Sequence, residues 1–234
     1  MSESPQARVA LVTGGSAGIG RALAEGLARD GYRVAITGRD PDRLEAAAAA
    51  TGALGIRCDV RDPASVDAAI ARIEADFGRL DVLVNNAGVG RFLSLEDTGE
   101  DDWAAIIGTN LTGAWRVTRR ALPLLLSSRG AIVNMISVAG RQAFPLNSAY
   151  CASKFGLRGM AEALREELRG RGVRVINLLP GATDTPFWDG VEGDWDRGRM
   201  LRPETVATAA RDALRQPPDA LVEEVVLGPA GGAL

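Results

Sequence analysis

The 234-residue sequence contains no histidine, only two tyrosines and two cysteines, and 26 of its 27 basic residues are arginine, which leaves Lys154 as the single lysine. The absence of histidine excludes His-based triads and His-ligated zinc, so tyrosine, serine, lysine and carboxylates remain as proton carriers. Cys58 and Cys151 lie far apart without metal-ligand spacing; no metal site is expected, and reduced thiols in a cytoplasmic setting are. No apolar run reaches the roughly 20 residues of a membrane span, and "MSESPQARVALVTGG" has no basic segment followed by a long apolar one, so no signal peptide is expected. Net charge is -3 with both signs scattered along the chain, which argues against nucleic acid as a partner. Hydrophobic residues make up 46% and charged residues 24%, enough apolar material for a substantial core.

What is present alternates. "RVALVT" reads as a buried strand and "IGRALAEGLARDG" as a helix; "YRVAIT" is a second strand, followed by a helix that Pro41 opens and Gly52 closes. "LGIRCDV" reads as a third strand, and the helix after it has Asp62 or Ser65 as cap. "LDVLVNNAG" gives a fourth strand, and a long helix is predicted over 100–126. Strand 130–137, a helix from Ser148, the strand "VRVINLLPG", a helix over 203–215 and the strand "EEVVLGP" complete the pattern. Strand and helix in alternation predict an α/β fold, a mainly parallel sheet with helices on both faces. No linker interrupts residues 1–234, so one domain is expected. Residues 187–203 are the one irregular stretch, either a surface loop or a lid over a site.

"VTGGSAGIG" joins the first strand to the first helix. Gly14, Gly18 and Gly20 allow a tight turn and the approach of an anionic ligand to a helix N-terminus, the strand–turn–helix context of dinucleotide binding. About 20 residues on, a carboxylate would bind an unmodified ribose. The sequence has Arg39 instead, whose guanidinium forks onto a phosphate and favours NADP(H) over NAD(H), with Asp40 beside it to neutralise part of that charge. The asparagines of "NNAG" (85–88) either hydrogen-bond a ligand or cap the strand end. In "NSAYCASKF", Tyr150 and Lys154 are four residues apart and share a helix face. A fixed ammonium there favours the phenolate and would bring the tyrosine toward a working range, unless the two are only an exposed helical pair. Phe92, Arg91, Phe144, Phe187, Trp188 and Trp195 either line a pocket for an apolar carbonyl compound or pack loop against core. Asp189, Glu192, Asp194 and Asp196 disfavour an anionic group near 187–203, with Arg197 and Arg199 as counterweights.

Taken in order, "TGGSAGIG", "NNAG", Asn110 in "GTNLTG", Ser137 in "NMISVAG", "YCASK" and "PGATDT" resemble the short-chain dehydrogenase/reductase family along nearly the whole chain. The resemblance implies a Rossmann-like, doubly wound sheet of seven parallel strands and NAD(P)-dependent hydride transfer to or from a carbonyl or alcohol. It implies a catalytic tetrad of Asn110, Ser137, Tyr150 and Lys154. Tyr150 would be the general acid/base, Ser137 would orient the carbonyl, Lys154 would hold the nicotinamide ribose, and Asn110, at an irregularity beside Gly108 and Gly113, would position a water. Cofactor contacts are implied from Gly14, Ser16, Gly18, Ile19, Gly20, Arg39, Asp59, Asn86, Ala87 and Gly88, from Tyr150 and Lys154, and from Pro180, Gly181, Thr183 and Thr185. Two positions depart from the family. Ala17 stands where many NADP-preferring relatives have Lys or Arg, and Thr183 where Val or Ile is usual. NADP(H) is the expected cofactor, with NAD(H) possible, and a homodimer or homotetramer through the two long helices and last strand is the expected assembly. One alternative is a 3-oxoacyl-carrier-protein reductase, whose acidic carrier would need a landing patch such as Arg91, Arg141 and Arg158. The other is a non-catalytic NADP(H)-sensing protein.

Overall fold

The uninterrupted aliphatic runs become strands: Val9–Val12 (β1), Arg33–Gly38 (β2), Leu54–Arg57 (β3), Val82–Asn85 (β4), Ala131–Met135 (β5), Arg174–Pro180 (β6) and Glu224–Leu227 (β7). The computed structural model describes residues 7–191, 193–217 and 219–232. All seven strands lie in one sheet in the order β3-β2-β1-β4-β5-β6-β7, and every pairing is parallel. Strand order reverses direction at the β1–β4 junction, so the carboxyl ends of these strands open a crevice where α/β sheets of this kind bind ligands. β3 ends at Arg57, short of the predicted run to Val60, because Asp59 bonds the Arg61 amide at 2.9 Å and Asp62 already caps the next helix.

Among the described residues seven α-helices connect the strands: Gly18–Arg29 (α1), Pro41–Thr51 (α2), Pro63–Phe77 (α3), Glu100–Ile107 (α4), Ala114–Ser128 (α5), Ser148–Arg169 (α6) and Pro203–Leu214 (α7). Local chemistry sets their ends. Asp40 and Asp62 accept hydrogen bonds from the Arg43 and Ala64 amides, proline follows each cap, and Gly52 and Gly78 close α2 and α3 in the left-handed region. Residues alternate across the sheet. Ala10, Val12, Val82 and Val84 pack with α1 and α7 on one face. Val9, Leu11, Leu83 and Ile132 pack with α3, α5 and α6 on the other. No helix among the described residues is long and apolar enough to cross a membrane.

The helix predicted over 100–126 is divided. Between α4 and α5 the backbone forms a π-helical turn, Gly108–Gly113, in which Thr109 and Asn110 are buried. Such wide turns concentrate at functional sites. Gly113 fits because a Cβ there would come within 2.6 Å of Val60 Cγ2.

On the α5/α6 face, three asparagines stand in register on adjacent strands: Asn85, Asn134 and Asn177. Asn85 Nδ2 donates to Thr118 Oγ1 of α5 (2.8 Å) and Asn134 Oδ1 (3.0 Å), and Asn134 Nδ2 donates to Asn177 Oδ1 (3.3 Å). Asn177 is level with Glu224 of β7, whose carboxylate receives Arg158 Nε of α6 at 2.7 Å. A polar row thus crosses four strands inside an otherwise apolar layer.

Candidate active site

The glycine turn after β1 is braced from β4. Asn86 Nδ2 donates to the carbonyl oxygens of Thr13 (2.9 Å) and Gly14 (3.1 Å). Thr13 Oγ1 accepts the Asn86 and Ala87 amides, both at 3.0 Å, and donates to Val84 O. The Asn86 side chain is therefore engaged by the turn itself, and Gly20 packs so closely on it that a Cβ would lie 2.3 Å from Nδ2. Gly18, in the left-handed region at φ +52, would bring a Cβ within 3.0 Å of Thr185. Ala17, the N-cap residue of α1, offers no side-chain hydrogen bond, so the first amides of that helix face the crevice. This is a fit for a dinucleotide pyrophosphate: a close-packed glycine cradle in front of an uncapped helix N-terminus. Ser16 lies over Gly38, with its Oγ 3.1 Å from where a Cβ would sit, and the exposed Arg39 follows directly. Asp59 is held by Arg61 at 2.9 Å, which keeps its carboxyl below the usual carboxylate range.

Asn110, Ser137, Tyr150 and Lys154 converge at the carboxyl ends of β4 and β5. Asn110 accepts the Val89 amide at 2.8 Å and donates to Val89 O at 2.9 Å and to Ser153 Oγ at 3.0 Å. Lys154 is buried and donates from Nζ to Met135 O at 2.9 Å, with Nζ 5.5 Å from the Tyr150 ring centroid. Gly88 lies between the two: a Cβ on it would be 3.4 Å from Asn110 Oδ1 and 3.6 Å from Lys154 Nζ. Ser137 precedes the turn Val138–Gly140, and its Oγ accepts the Ala139 amide at 3.1 Å. Gly140 presses that turn onto α6, where a Cβ would meet Lys154 O at 2.9 Å.

The expectation that Lys154 draws the Tyr150 hydroxyl toward the neutral range is not met. Burial dominates and pushes the phenol up to about 12, opposed by its hydrogen bond with Ser137. Burial likewise lowers Lys154 to about 8, the desolvation of its ammonium outweighing the hydrogen bond it donates to Met135 O. Thr13, Val89, Met135 and Ser153 were not singled out by the sequence. Thr13, Met135 and Ser153 stood in view inside "TGGSAGIG", "NMISVAG" and "YCASK", and Val89 directly follows "NNAG", but their bracing contacts join segments that only the fold brings together.

Above the tetrad lie the aromatic side chains. Phe187 is 5.7 Å from the Tyr150 ring and 6.3 Å from Phe92. Phe92 meets Trp188 and Trp195 edge-on at 5.7 and 6.1 Å. Phe144 makes no ring contact with this group among the described residues. Residues 187–203 run through two short 3₁₀ turns, Pro186–Gly190 and Arg197–Arg199. They are pinned by Trp188 Nε1 to Thr183 O (3.0 Å), by the Thr183–Leu201 bridge, and by Arg197, which spans Asp184 (3.1 Å) and Asp189 (2.6 Å). Thr183 Oγ1 bonds Gly181 O, and the Gly181 amide bonds Leu227 O, which seats the turn after Pro180 against β7. Asp196 caps its own turn, and Glu192 lies outside the described residues. Arg91 is paired with Asp102 at 2.6 Å and Arg158 with Glu224 at 2.7 Å, which neutralises two of the three arginines an acidic carrier would need.

With this geometry in place, the family model for short chain dehydrogenase matches residues 8–194. The chain belongs to the short-chain dehydrogenase family. It is 40% identical to a D-threitol dehydrogenase of Mycolicibacterium smegmatis over 87% of this chain and 84% of that protein. It is 37% identical to a sepiapterin reductase of Chlorobaculum tepidum over 96% and 97% of the two chains. Among solved structures, an alcohol dehydrogenase from the archaeon Thermococcus sibiricus, complexed with 5-hydroxy-NADP, superimposes with a TM-score of 0.89 at 34% identity, covering 95% of this chain and 97% of that one. The short-chain dehydrogenase family is one of oxidoreductases, and its Rossmann-like parallel sheet is the one described above.

Proposed function

We propose that this short-chain dehydrogenase is an NADP(H)-dependent oxidoreductase acting reversibly on the carbonyl or alcohol group of an uncharged, apolar substrate. The observation that carries the reading is the meeting of Ser137, Tyr150, Lys154 and Asn110 beneath Phe187 and Phe92, beside the glycine cradle. The nicotinamide, when bound, supplies or accepts the hydride. At neutral pH a phenol near 12 retains its proton, which suits Tyr150 to donate from Oη to the carbonyl oxygen as negative charge develops there. Ser137 Oγ holds the same oxygen by a hydrogen bond, stabilising that charge. Lys154, protonated below about 8, supplies positive charge beside the tyrosine and would hold the hydroxyls of the nicotinamide ribose. Gly14, Ser16, Gly18, Ile19 and Gly20, with Asn86, Ala87 and Gly88, would hold the pyrophosphate and adenosine side. Asp59 would face the adenine, Arg39 with Ser16 the 2′-phosphate, and Pro180, Gly181, Thr183 and Thr185 the nicotinamide end.

The reading takes residues 1–234 as one NAD(P)-binding domain with 187–203 as its substrate lid. A cytoplasmic setting is supported by two free, buried thiols. A homodimer or homotetramer is supported by exposed Trp103 on α4, Trp115 on α5, Phe155 on α6 and Val226 on the edge strand β7. The test is a fluorescence titration with NADPH and NADH, followed by a panel of ketones, aldehydes and 3-oxoacyl thioesters. Tighter NADPH binding with turnover of apolar ketones is expected. Tight binding without turnover on any carbonyl would overturn the reductase reading in favour of a cofactor-sensing protein.

A further inference from the structure

One buried hydroxyl in this site has no assigned task. Ser153 is fully enclosed, and its Oγ both accepts from Asn110 Nδ2 (3.0 Å) and donates to Tyr150 O (2.7 Å). Asn110 in turn grips the Val89 backbone from both sides, at 2.8 and 2.9 Å. Val89 opens the segment that walls the space over Tyr150. A Cβ on Gly90 would come within 2.5 Å of Phe187 Cζ and 3.2 Å of Tyr150 Cδ2, and the Phe92 ring lies 6.5 Å from Tyr150. A continuous chain of hydrogen bonds therefore runs from the wall, through Asn110 and Ser153, to the backbone of Tyr150 itself.

We propose that Ser153 is a positioning residue that sets the Val89–Phe92 wall in register with Tyr150 and so governs how well the enzyme handles bulky apolar carbonyls compared with small ones. The physical reason is the double use of one hydroxyl. Both amide hydrogens of Asn110 are committed, one to Val89 and one to Ser153, so the orientation that reads Val89 is fixed only while Ser153 accepts the second. In a dry interior an amide left without that acceptor turns to seek another partner. The wall then loses its fixed distance from the phenol. A small carbonyl reaches Tyr150 with little help from the wall, whereas a bulky one depends on it.

The inference rests on the carbonyl-reductase reading, and the test keeps the two apart. Steady-state kcat and KM are measured at saturating NADPH for acetone and for 1-tetralone, in the wild type and in Ser153→Ala and Ser153→Thr. Ser153→Ala is expected to lose about tenfold in kcat/KM for tetralone, mainly through KM, the size of one net hydrogen bond. Acetone is expected to lose no more than about twofold to threefold, so the ratio between the substrates shifts. Threonine keeps a hydroxyl that can bond a carbonyl one turn back in a helix, and Ser153→Thr is expected to recover most of the ratio. A merely structural role would lower the active fraction for both substrates alike and leave the ratio and both KM values where they were, which overturns the inference. Should Ser153→Ala not fold, Ser153→Cys, close in volume but weak in hydrogen bonding, takes its place. A wild type that turns over neither these nor any other carbonyl overturns the reductase reading and this inference together.

Discussion

Burial acts on Tyr150 and Lys154 in opposite directions, raising one and lowering the other, and in both cases it favours the neutral form. Replacing Tyr150 by Phe removes the proposed proton donor but not the surrounding packing. Turnover should fall by about 10²–10⁴-fold, while the NADPH dissociation constant measured by fluorescence should change little. Lys154 also makes stability depend on pH. Its folded value of about 8 lies below its unfolded value of about 10.4, so between these limits the unfolded chain holds a proton that the folded one has released. Stability without cofactor should therefore rise with pH from about 8 to about 10.4, and below 8 the protein carries the full cost of the enclosed ammonium. Lys154→Met should be more stable than the wild type at pH 7 by on the order of 3 kcal/mol, and urea titrations at a series of pH values should show that advantage shrinking above pH 8. Tyr150 contributes the reverse slope, losing stability between about 10 and about 12. At the far end of the site, Arg39→Asp should move preference from NADPH toward NADH by about tenfold to a hundredfold, read from paired titrations.

The elements were legible where the signal is local. Asp62 and Gly52, read from the sequence as a cap and a stop, mark helix ends through contacts spanning a few residues and sit where their chemistry puts them; Asp40 and Gly78, which the sequence reading did not name as helix ends, do the same. Gly108 and Gly113 around Asn110 signalled an irregularity that the π-helical turn realises. The long-range pairs around the site were not legible. Arg91 with Asp102, Arg158 with Glu224, and Asn86 with Gly14 join residues 11 to 72 positions apart, and only the winding of the sheet brings them together. The same holds for the asparagine row, whose members look unrelated until three strands pair in register. Removing its middle member strands polar groups on both neighbours. Asn134→Ala should lower unfolding free energy by about 1–3 kcal/mol in urea titration, with the parallel sheet retained.

At the scale of the molecule, sheet order explains why the residues of the proposed site gather at one end. The reversal between β1 and β4 brings the glycine turn, "NNAG" and the tetrad to the same edge from segments spread over residues 13–154. The opposite problem is apolar surface without cover. α4 packs on α6, and each leaves a large ring exposed, Trp103 at 45% and Phe155 at 44%. Charging both, as Trp103→Asp with Phe155→Asp, should reduce the mass found by light scattering from an oligomer to that of the 24.5 kDa chain. A sequence with one lysine, enclosed at its proposed reaction centre, also has an unusual surface. It offers amine-reactive dyes, cross-linkers and coupling resins no side-chain primary amine that is open to solvent. Grown on nitrogen-labelled lysine, the protein would give a single side-chain resonance, and that one line would follow the protonation of the site with nothing to overlap it.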